Sequence, residues 1–515
     1  MAPVNEGIPQ AGGSAAAHIT AVTSADGSSP ACGSGFLQLD VAEAPVGGKA
    51  DWLTRRLRQA IADGRLTVGS RLPATRVLAA ELRVSRGVVT EAYRRLTEDG
   101  QVEGRRRSGT VVVAAPAVAA GSVPSRGPAL LQRAAPGALF AGEPGADVFD
   151  ALRTAPARVD FTPGQPDLAA FPRAAWLRAE RSVLAELSPE HLGYGDPRGA
   201  MPLRRAVARW LAHSRGILVQ PAEVLIVAGT AQALTLLPPV LRADGIDRVA
   251  VEDPGSLGTR QHLRNGALAT PPVPVDEAGV RVDALRATGA RAVLLTPAHQ
   301  FPTGVVTCGE RRRELLRWTE DGGLVLEDDY DAEHRYDRPP TPALRALVAD
   351  RVCYLGSVSK LLAPALRIGW MVPPPHYREA LIDAKRFTDL GNAALPQLVL
   401  ARLMESGELE RHLRMLRGRH RRRRDAMLGA VAEHLPGAVV HGAAAGLHLT
   451  VTYAADVPDT ELAAAALDRG VKCQPLSWHR LRPGRPGLVL GYAATPPGVI
   501  ADGLTTIGEA LRELA

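Results

Sequence analysis

A compositional break at residues 115 to about 156 constrains this chain more than any single motif. The stretch opens "APAVAAGSVPSRGPALLQRAAPGALFAGEPGAD", rich in Pro, Gly and Ala and without sustained apolar periodicity, and reads as a linker. Only "ALLQRA" within it has the makings of a short helix. Residues 1–35 are a Gly-, Ser-, Ala- and Pro-rich tail and read as disordered. A compact segment, 36–114, lies between them, and a long one, 157–515, follows. A chain interrupted in this way does not build one continuous core, and a length of 515 residues already favours more than one domain. The expectation is a small module and a large one.

Charge separates the same two pieces. The formal net charge is +7, and residues 51–110 carry thirteen arginines, no lysine and seven acids, a balance of +6. Nearly the whole excess sits in the small module, the footprint of a nucleic-acid-binding unit attached to a neutral body. The four cysteines, Cys32, Cys308, Cys353 and Cys473, form no C-x-x-C pair, which favours free thiols over a disulfide framework or a zinc site. No apolar run reaches membrane-spanning length, and the first residues have neither the basic nor the apolar part of a secretion signal. The expected location is the cytoplasm, with no membrane partner.

The small module reads as helices and a hairpin. In "DWLTRRLRQAIADGRL", Leu53, Leu57, Ala60 and Ile61 recur at helical spacing and Gly64 is a stop. "LPATRVLAAEL" follows, with Thr75 as the expected cap and Leu78, Ala79 and Leu82 facing inward. "RVSRGVVTEAYRRLTEDG" offers Ser85 as a cap, Val88, Ala92 and Leu96 as the buried stripe, and Gly100 as a stop. Two short helices joined by a tight turn make a helix-turn-helix. "QVEGRRRSGTVVV" then alternates as two strands around an arginine-rich tip, a wing.

Through "DGRL-x-x-G-x-x-LP-x-x-R-x-LA-x-EL-x-VSR-x-x-V-x-x-AY-x-x-L-x-x-x-G" this segment resembles the winged helix-turn-helix of the GntR family of bacterial regulators. The resemblance implies an operator of double-stranded DNA, with Arg76, Ser85 and Arg86 reaching phosphates or base edges and Arg105, Arg106, Arg107 and Gly109 entering the minor groove. Arg94 and Arg95 read instead as a solvated helix face.

The large module alternates strand-like runs ("EVLIVAG", "RVAVED", "RAVLLTP", "LVLEDD", "RVCYLGS") with amphipathic helices, the pattern of an α/β domain. Within it one lysine stands out. The chain has 61 Lys plus Arg, of which only Lys49, Lys360, Lys385 and Lys472 are lysines, and Lys360 lies in the apolar, Ser- and Gly-rich "YLGSVSKLLAPALRIGW". A desolvated lysine can lose its proton and attack a carbonyl, and an arginine cannot.

Schiff-base chemistry with pyridoxal phosphate needs further partners. Ser357, Ser359 and Arg367 around the lysine offer donors and a cation to a phosphate. "VAGTAQAL" presents Thr230 and free N–H groups at a helix start. Asp328, at the carboxyl end of an expected buried strand, suits a protonated pyridine nitrogen. Tyr330 suits the cofactor's phenolic oxygen. Metal binding by Glu327, Asp328 and Asp329 is the competing reading of that acidic cluster.

The joint order of phosphate turn, "TPAHQFPTG", strand-end Asp, S-x-S-K and an Arg seven residues on resembles the fold type I aminotransferases, from "FTPGQPDLAAFP" through "GYGDPRGAMPLRRAVARWL" to the end. The resemblance implies pyridoxal 5'-phosphate as cofactor and places Tyr194 on the cofactor phosphate of a neighbouring subunit, hence a domain-swapped homodimer. A GntR module followed by such a domain is the arrangement of the MocR-type transcriptional regulators, which "HQFPTG" and "EDDYDAEHRY" also resemble. The fold class expected is thus an N-terminal winged helix-turn-helix plus an α/β fold type I pyridoxal-phosphate-dependent aminotransferase-like domain. The function implied is a regulator that senses pyridoxal phosphate, or its adduct with an amine or amino acid, and controls vitamin B6 or amine and amino-acid metabolism.

Three departures from the aminotransferase pattern argue against efficient transamination. Ser256 stands where an aromatic usually stacks on the pyridine ring, an interaction of about 0.5–1.5 kcal/mol beyond burial. Phe301 replaces an asparagine that contacts the phenolic oxygen, and Leu488 or Val489 replaces the arginine that clamps a substrate carboxylate. Arg480, Arg482 and Arg485 are the candidate substitutes. The rival readings are a working aminotransferase with an appended DNA-binding domain and a domain that only dimerises.

Overall fold

The computed structural model describes residues 39, 41–45, 47–105, 109–114, 136–336 and 341–515, in two compact units that meet in sequence near residue 130. The tail at 1–35, the "ALLQRA" segment, Cys32, Arg106 and Arg107 lie outside the described residues.

The first unit holds helices α1 (Lys49–Ala62), α2 (Thr75–Glu81) and α3 (Arg86–Glu98) and strands β1 (Val102–Arg105) and β2 (Gly109–Val112). Leu53, Leu57, Ala60 and Ile61 are buried on α1, and Leu78, Ala79 and Leu82 on and after α2, as their spacing predicts. Two local expectations differ. Ala74, not Thr75, occupies the capping position of α2; Thr75 is already helical and its hydroxyl accepts from Arg86 Nε at 3.3 Å. The buried stripe of α3 runs through Val89, Ala92, Tyr93 and Leu96, while Val88 is half-buried. That one-position turn brings the Tyr93 hydroxyl to the Pro73 carbonyl, 2.8 Å away, so α3 is fastened to the entry of α2. Ser85 precedes α3 in an extended conformation, as expected of a cap, but its side chain makes no capping bond. β1 and β2 pair antiparallel, and the Leu72 N–H donates to the Thr110 carbonyl at 2.8 Å, which ties the wing to the helices.

The strands of the second unit are, in chain order, β3 (Val159–Asp160), β4 (Leu225–Val227), β5 (Val249–Asp253), β6 (Pro272–Asp276), β7 (Gly279–Val280), β8 (Ala292–Leu295), β9 (Leu324–Asp329), β10 (Val352–Ser357), β11 (Gly369–Val372), β12 (Val439–His441), β13 (His448–Thr452), β14 (Val471–Lys472), β15 (Gln474–Pro475) and β16 (Gly487–Gly491). Eight form one sheet in the order β4-β11-β10-β9-β8-β5-β6-β7. β10, β9, β8, β5 and β6 are parallel, and β4 shares their direction through antiparallel β11. The residues of β4, β5, β8, β9 and β10 are buried on both faces but for half-buried Asp328, as a helix-covered parallel sheet requires, while β6, near the sheet's edge, is mostly half-buried. A second, antiparallel sheet, β12-β13-β16-β15, packs with helices Glu408–His434 and Pro497–Leu514 around a separate core.

The end of the expected linker belongs to this second core. Helices α4 (Pro136–Phe140) and α5 (Val148–Thr154) bury Phe140, Val148 and Leu152, and the Phe140 ring stacks on Trp478 with centroids 5.2 Å apart. One or two turns flanked by Gly and Pro are too short to show a period in sequence. Among the described residues no helix is long and apolar enough to cross a membrane.

Candidate functional site

Because β4, β5, β8, β9 and β10 point the same way, their carboxyl ends open onto one edge, where open α/β sheets place ligands. Side chains alternate along a strand, and that alternation separates the acidic cluster of β9. Glu327 accepts from the backbone N–H groups of Leu344 and Arg345, both at 2.9 Å. Asp329 is held by the buried Arg215 guanidinium and by the Tyr354 hydroxyl, 2.6 Å away. Asp328 faces the other way, and its buried Oδ1 has no hydrogen-bond partner. The three carboxylates therefore do not converge as metal ligands would. Burial, then the charges of Asp329 and Asp331, push the Asp328 carboxyl up to about 7. A carboxylate left without a donor in such a place is costly unless a cationic N–H is brought to it.

Lys360 follows β10, the neighbour of β9 in register Leu355↔Asp328. Its Nζ donates to the Gly164 carbonyl at 2.6 Å, and burial lowers its pKa against the opposing pull of Asp331 and Asp328. Lys385 is occupied by Asp389 at 2.6 Å and Lys472 donates to the Arg153 carbonyl at 3.0 Å, so each has a structural partner. Tyr330 lies beside His299, whose Nδ1 is 3.1 Å from the Tyr330 hydroxyl and 2.9 Å from Asp331 Oδ2. Burial and then Asp331 hold the Tyr330 phenol well above its ordinary pKa, so it stays protonated and can donate a hydrogen bond.

Arg367, one of the residues expected at the phosphate, lies at the start of helix Thr230–Ala243. Gly229 precedes it at φ +77°, and a Cβ there would stand 3.3 Å from Arg367 Nη1. The positive φ favours glycine at this position. Arg367 itself takes a left-handed conformation, φ +50°, and donates to the Ala228 carbonyl, beside the free N–H groups of the helix. Ser357 Oγ donates to Ser359 Oγ at 2.8 Å and accepts from the Ser359 N–H at 3.1 Å, which pins the turn leading to Lys360. Tyr194, 95% exposed, is not brought to any of these residues within its own chain.

The departures have structural explanations. Ser256 caps helix Leu257–Asn265 by accepting from the Thr259 N–H at 3.2 Å. Phe301 packs against Tyr330, His448 and His479 at 5.0–6.2 Å between ring centroids. Leu488 and Val489 are core residues of β16. Two of their candidate substitutes have other partners: Arg480 donates to the Arg485 carbonyl, and Arg482 lies 4.0 Å from Asp253. Sequence reasoning missed Gly164, His299, Asp331 and His334, whose Nε2 is 3.1 Å from the Lys360 carbonyl, and buried Glu252, which accepts from Thr296. The first four sit inside motifs already singled out, "FTPGQPD", "HQFPTG" and "EDDYDAEHRY", and that was their only signal.

In the first unit Arg76, Ser85 and Arg86 are exposed at the starts of α2 and α3. Neither Arg76 nor Arg86 makes an ion pair with a described residue, whereas Arg94 pairs with Glu91 and Glu98, and Arg95 with Glu91 and Asp51. Arg105 ends β1 and Gly109 begins β2.

Residues 158–490 match the aminotransferase class I and II family, and residues 49–112 match the bacterial regulatory proteins of the gntR family. The chain is 32% identical over 470 residues to the probable rhizopine catabolism regulatory protein MocR of Rhizobium meliloti, covering 90% of this chain and 93% of that one. It is 30% identical over 461 residues to the pyridoxine biosynthesis transcriptional regulator PdxR of Corynebacterium glutamicum, covering 89% and 95%. Among solved structures, the kynurenine aminotransferase of Pyrococcus horikoshii in complex with PMP superposes with a TM-score of 0.65 at 28% identity, over 71% of this chain and 93% of that one. The chain belongs to the MocR-type regulators, in which a gntR winged helix-turn-helix is joined to a class I and II aminotransferase domain.

Proposed function

We propose that this chain is a transcriptional regulator that reads operator DNA with its winged helix and senses pyridoxal 5'-phosphate with its large domain. The observation that carries the reading is a desolvated lysine just after β10 and a buried carboxylate oxygen without a hydrogen-bond partner on the adjacent β9, without an arginine on β16 to clamp a substrate. Bound pyridoxal phosphate supplies an aldehyde reactive toward amines and an electron-withdrawing ring. Lys360 is the covalent anchor, and the lowering of its pKa raises the fraction of free amine at neutral pH. Asp328 accepts from the pyridine N–H, and Tyr330, held by His299, donates to the phenolic oxygen. Ser357, Ser359, Thr230 and Arg367 hold the phosphate, with the helix N-terminus adding its dipole.

The assembly we propose is a cytoplasmic homodimer, with the exposed Tyr194 reaching across to the other subunit's phosphate site. On DNA, Arg76, Ser85 and Arg86 face the major groove and the wing, with Arg105, Arg106, Arg107 and Gly109, enters the minor groove. The effector is pyridoxal phosphate or its adduct with an amine or amino acid, and the regulated genes serve vitamin B6 or amine and amino-acid metabolism. Titration of the purified protein with pyridoxal phosphate tests the core of this. Absorbance near the visible edge should appear in the wild type and be lost in Lys360→Ala. Repeated turnover of an amino acid and a keto acid would favour the aminotransferase reading instead.

A further inference from the structure

A cavity of about 320 Å³ lies between helix Met201–Arg215 and the first half of helix Glu408–His434, lined by Trp210, His213, Glu333, Glu410, Arg414 and Arg417. Glu333, Glu410, Arg414 and Arg417 make no ion pair with a described residue. Glu410 and Arg414 are four residues apart with the acid first, the spacing that favours an ion pair, yet they form none. On the same helix Arg411 pairs with Glu408 at 2.9 Å, and Arg419 and Arg423 pair with Asp167 at 3.1 and 2.9 Å. Arg417 also makes no ion pair with a described residue, although it is half-buried.

Glu333 faces these arginines from the 3-10 turn Ala332–His334. Burial and then Asp329 push its carboxyl up against the opposing pull of Arg215, and it lies beside the Trp210 indole, whose N–H does not reach full hydrogen-bond geometry with it. Two cations, two carboxylates and an aromatic wall around a pocket of small-ligand size are the complement of a molecule carrying both charges. We propose that this cavity is a second ligand site for a small zwitterion of the amino-acid class, its carboxylate on Arg414 and Arg417 and its ammonium on Glu333 and Glu410. The site is distinct from the Lys360 cleft but adjoins it: His334, next to Glu333, meets the Lys360 carbonyl at 3.1 Å. It gives the regulator a way to register a free amino acid without chemistry at the cofactor.

Calorimetric titration of the full-length Lys360→Ala protein with L-alanine and with β-alanine tests the proposal, because the covalent anchor is then gone. One zwitterion per chain should bind, with propionate and propylamine at least about tenfold weaker. Glu333→Gln and Arg414→Gln should each weaken binding by about tenfold or more. Arg414 is exposed, so its variant remains informative if Glu333→Gln misfolds. Failure of both zwitterions to bind, equal binding of propionate, or unchanged affinity in Arg414→Gln would each overturn the assignment. None of these outcomes touches the absorbance test of Lys360.

Discussion

Gly164 accepts the Lys360 amine on its carbonyl at 2.6 Å, and a Cβ at Gly164 would stand only 3.0 Å from that nitrogen. Gly164 also has φ +79°, where an L side chain costs roughly 1–2 kcal/mol. Gly164→Ala should therefore lower stability by about that amount and displace the amine. The expected result is a pyridoxal phosphate Kd raised at least severalfold in an absorbance titration, with operator affinity in the absence of pyridoxal phosphate unchanged.

Asp328 gives a pH-dependent prediction. Its folded-state pKa of about 7 lies above the ordinary carboxylate value near 3.9, so the proton-bound form fits the cofactor-free protein better. The associated stability is present below about pH 4 and is lost as pH rises toward 7. Asp328→Asn removes that loss. Thermal unfolding of the cofactor-free protein should show the variant more stable at pH 8, by roughly 1–3 kcal/mol, and little changed at pH 4 and below. The same variant should bind pyridoxal phosphate poorly.

Ser256 is a helix cap here and not a stacking group. Ser256→Ala should cost about 1 kcal/mol of stability in denaturant unfolding and leave the pyridoxal phosphate Kd within a factor of two or so.

On the DNA side, Arg86 and Arg94 should behave differently although both lie on α3. Arg86 touches only the Thr75 hydroxyl among the polar groups near it, while Arg94 is taken by two glutamates. Anisotropy titrations should show Arg86→Ala weakening specific binding by about 1–3 kcal/mol, and Arg94→Ala close to wild type.

Much of this was legible in sequence, for reasons particular residues make clear. Lys360 and Asp328 stood out because only certain chemistries need a lysine and a strand-end carboxylate, and the parallel sheet brought them to one edge. The inward faces of α1 and α2 followed from helical period. The period did not resolve Val88 from Val89, because both lie within the arc of one stripe and only the Tyr93–Pro73 bond decides between them. α4 and α5 were hidden by a composition that resembles linker, since their burial depends on Trp478, more than 300 residues away. His299, Asp331 and Glu252 were invisible as partners because their contacts join different strands.

The central claim is that cofactor occupancy at Lys360 is communicated to DNA. A ligand shifts such an equilibrium only by its differential affinity for the two states. Operator affinity of the full-length protein, measured by anisotropy with and without saturating pyridoxal phosphate, tests this most directly. Operator affinity should shift about fivefold or more in the wild type and not at all in Lys360→Ala. Identical operator affinity of the wild type with and without pyridoxal phosphate would contradict it.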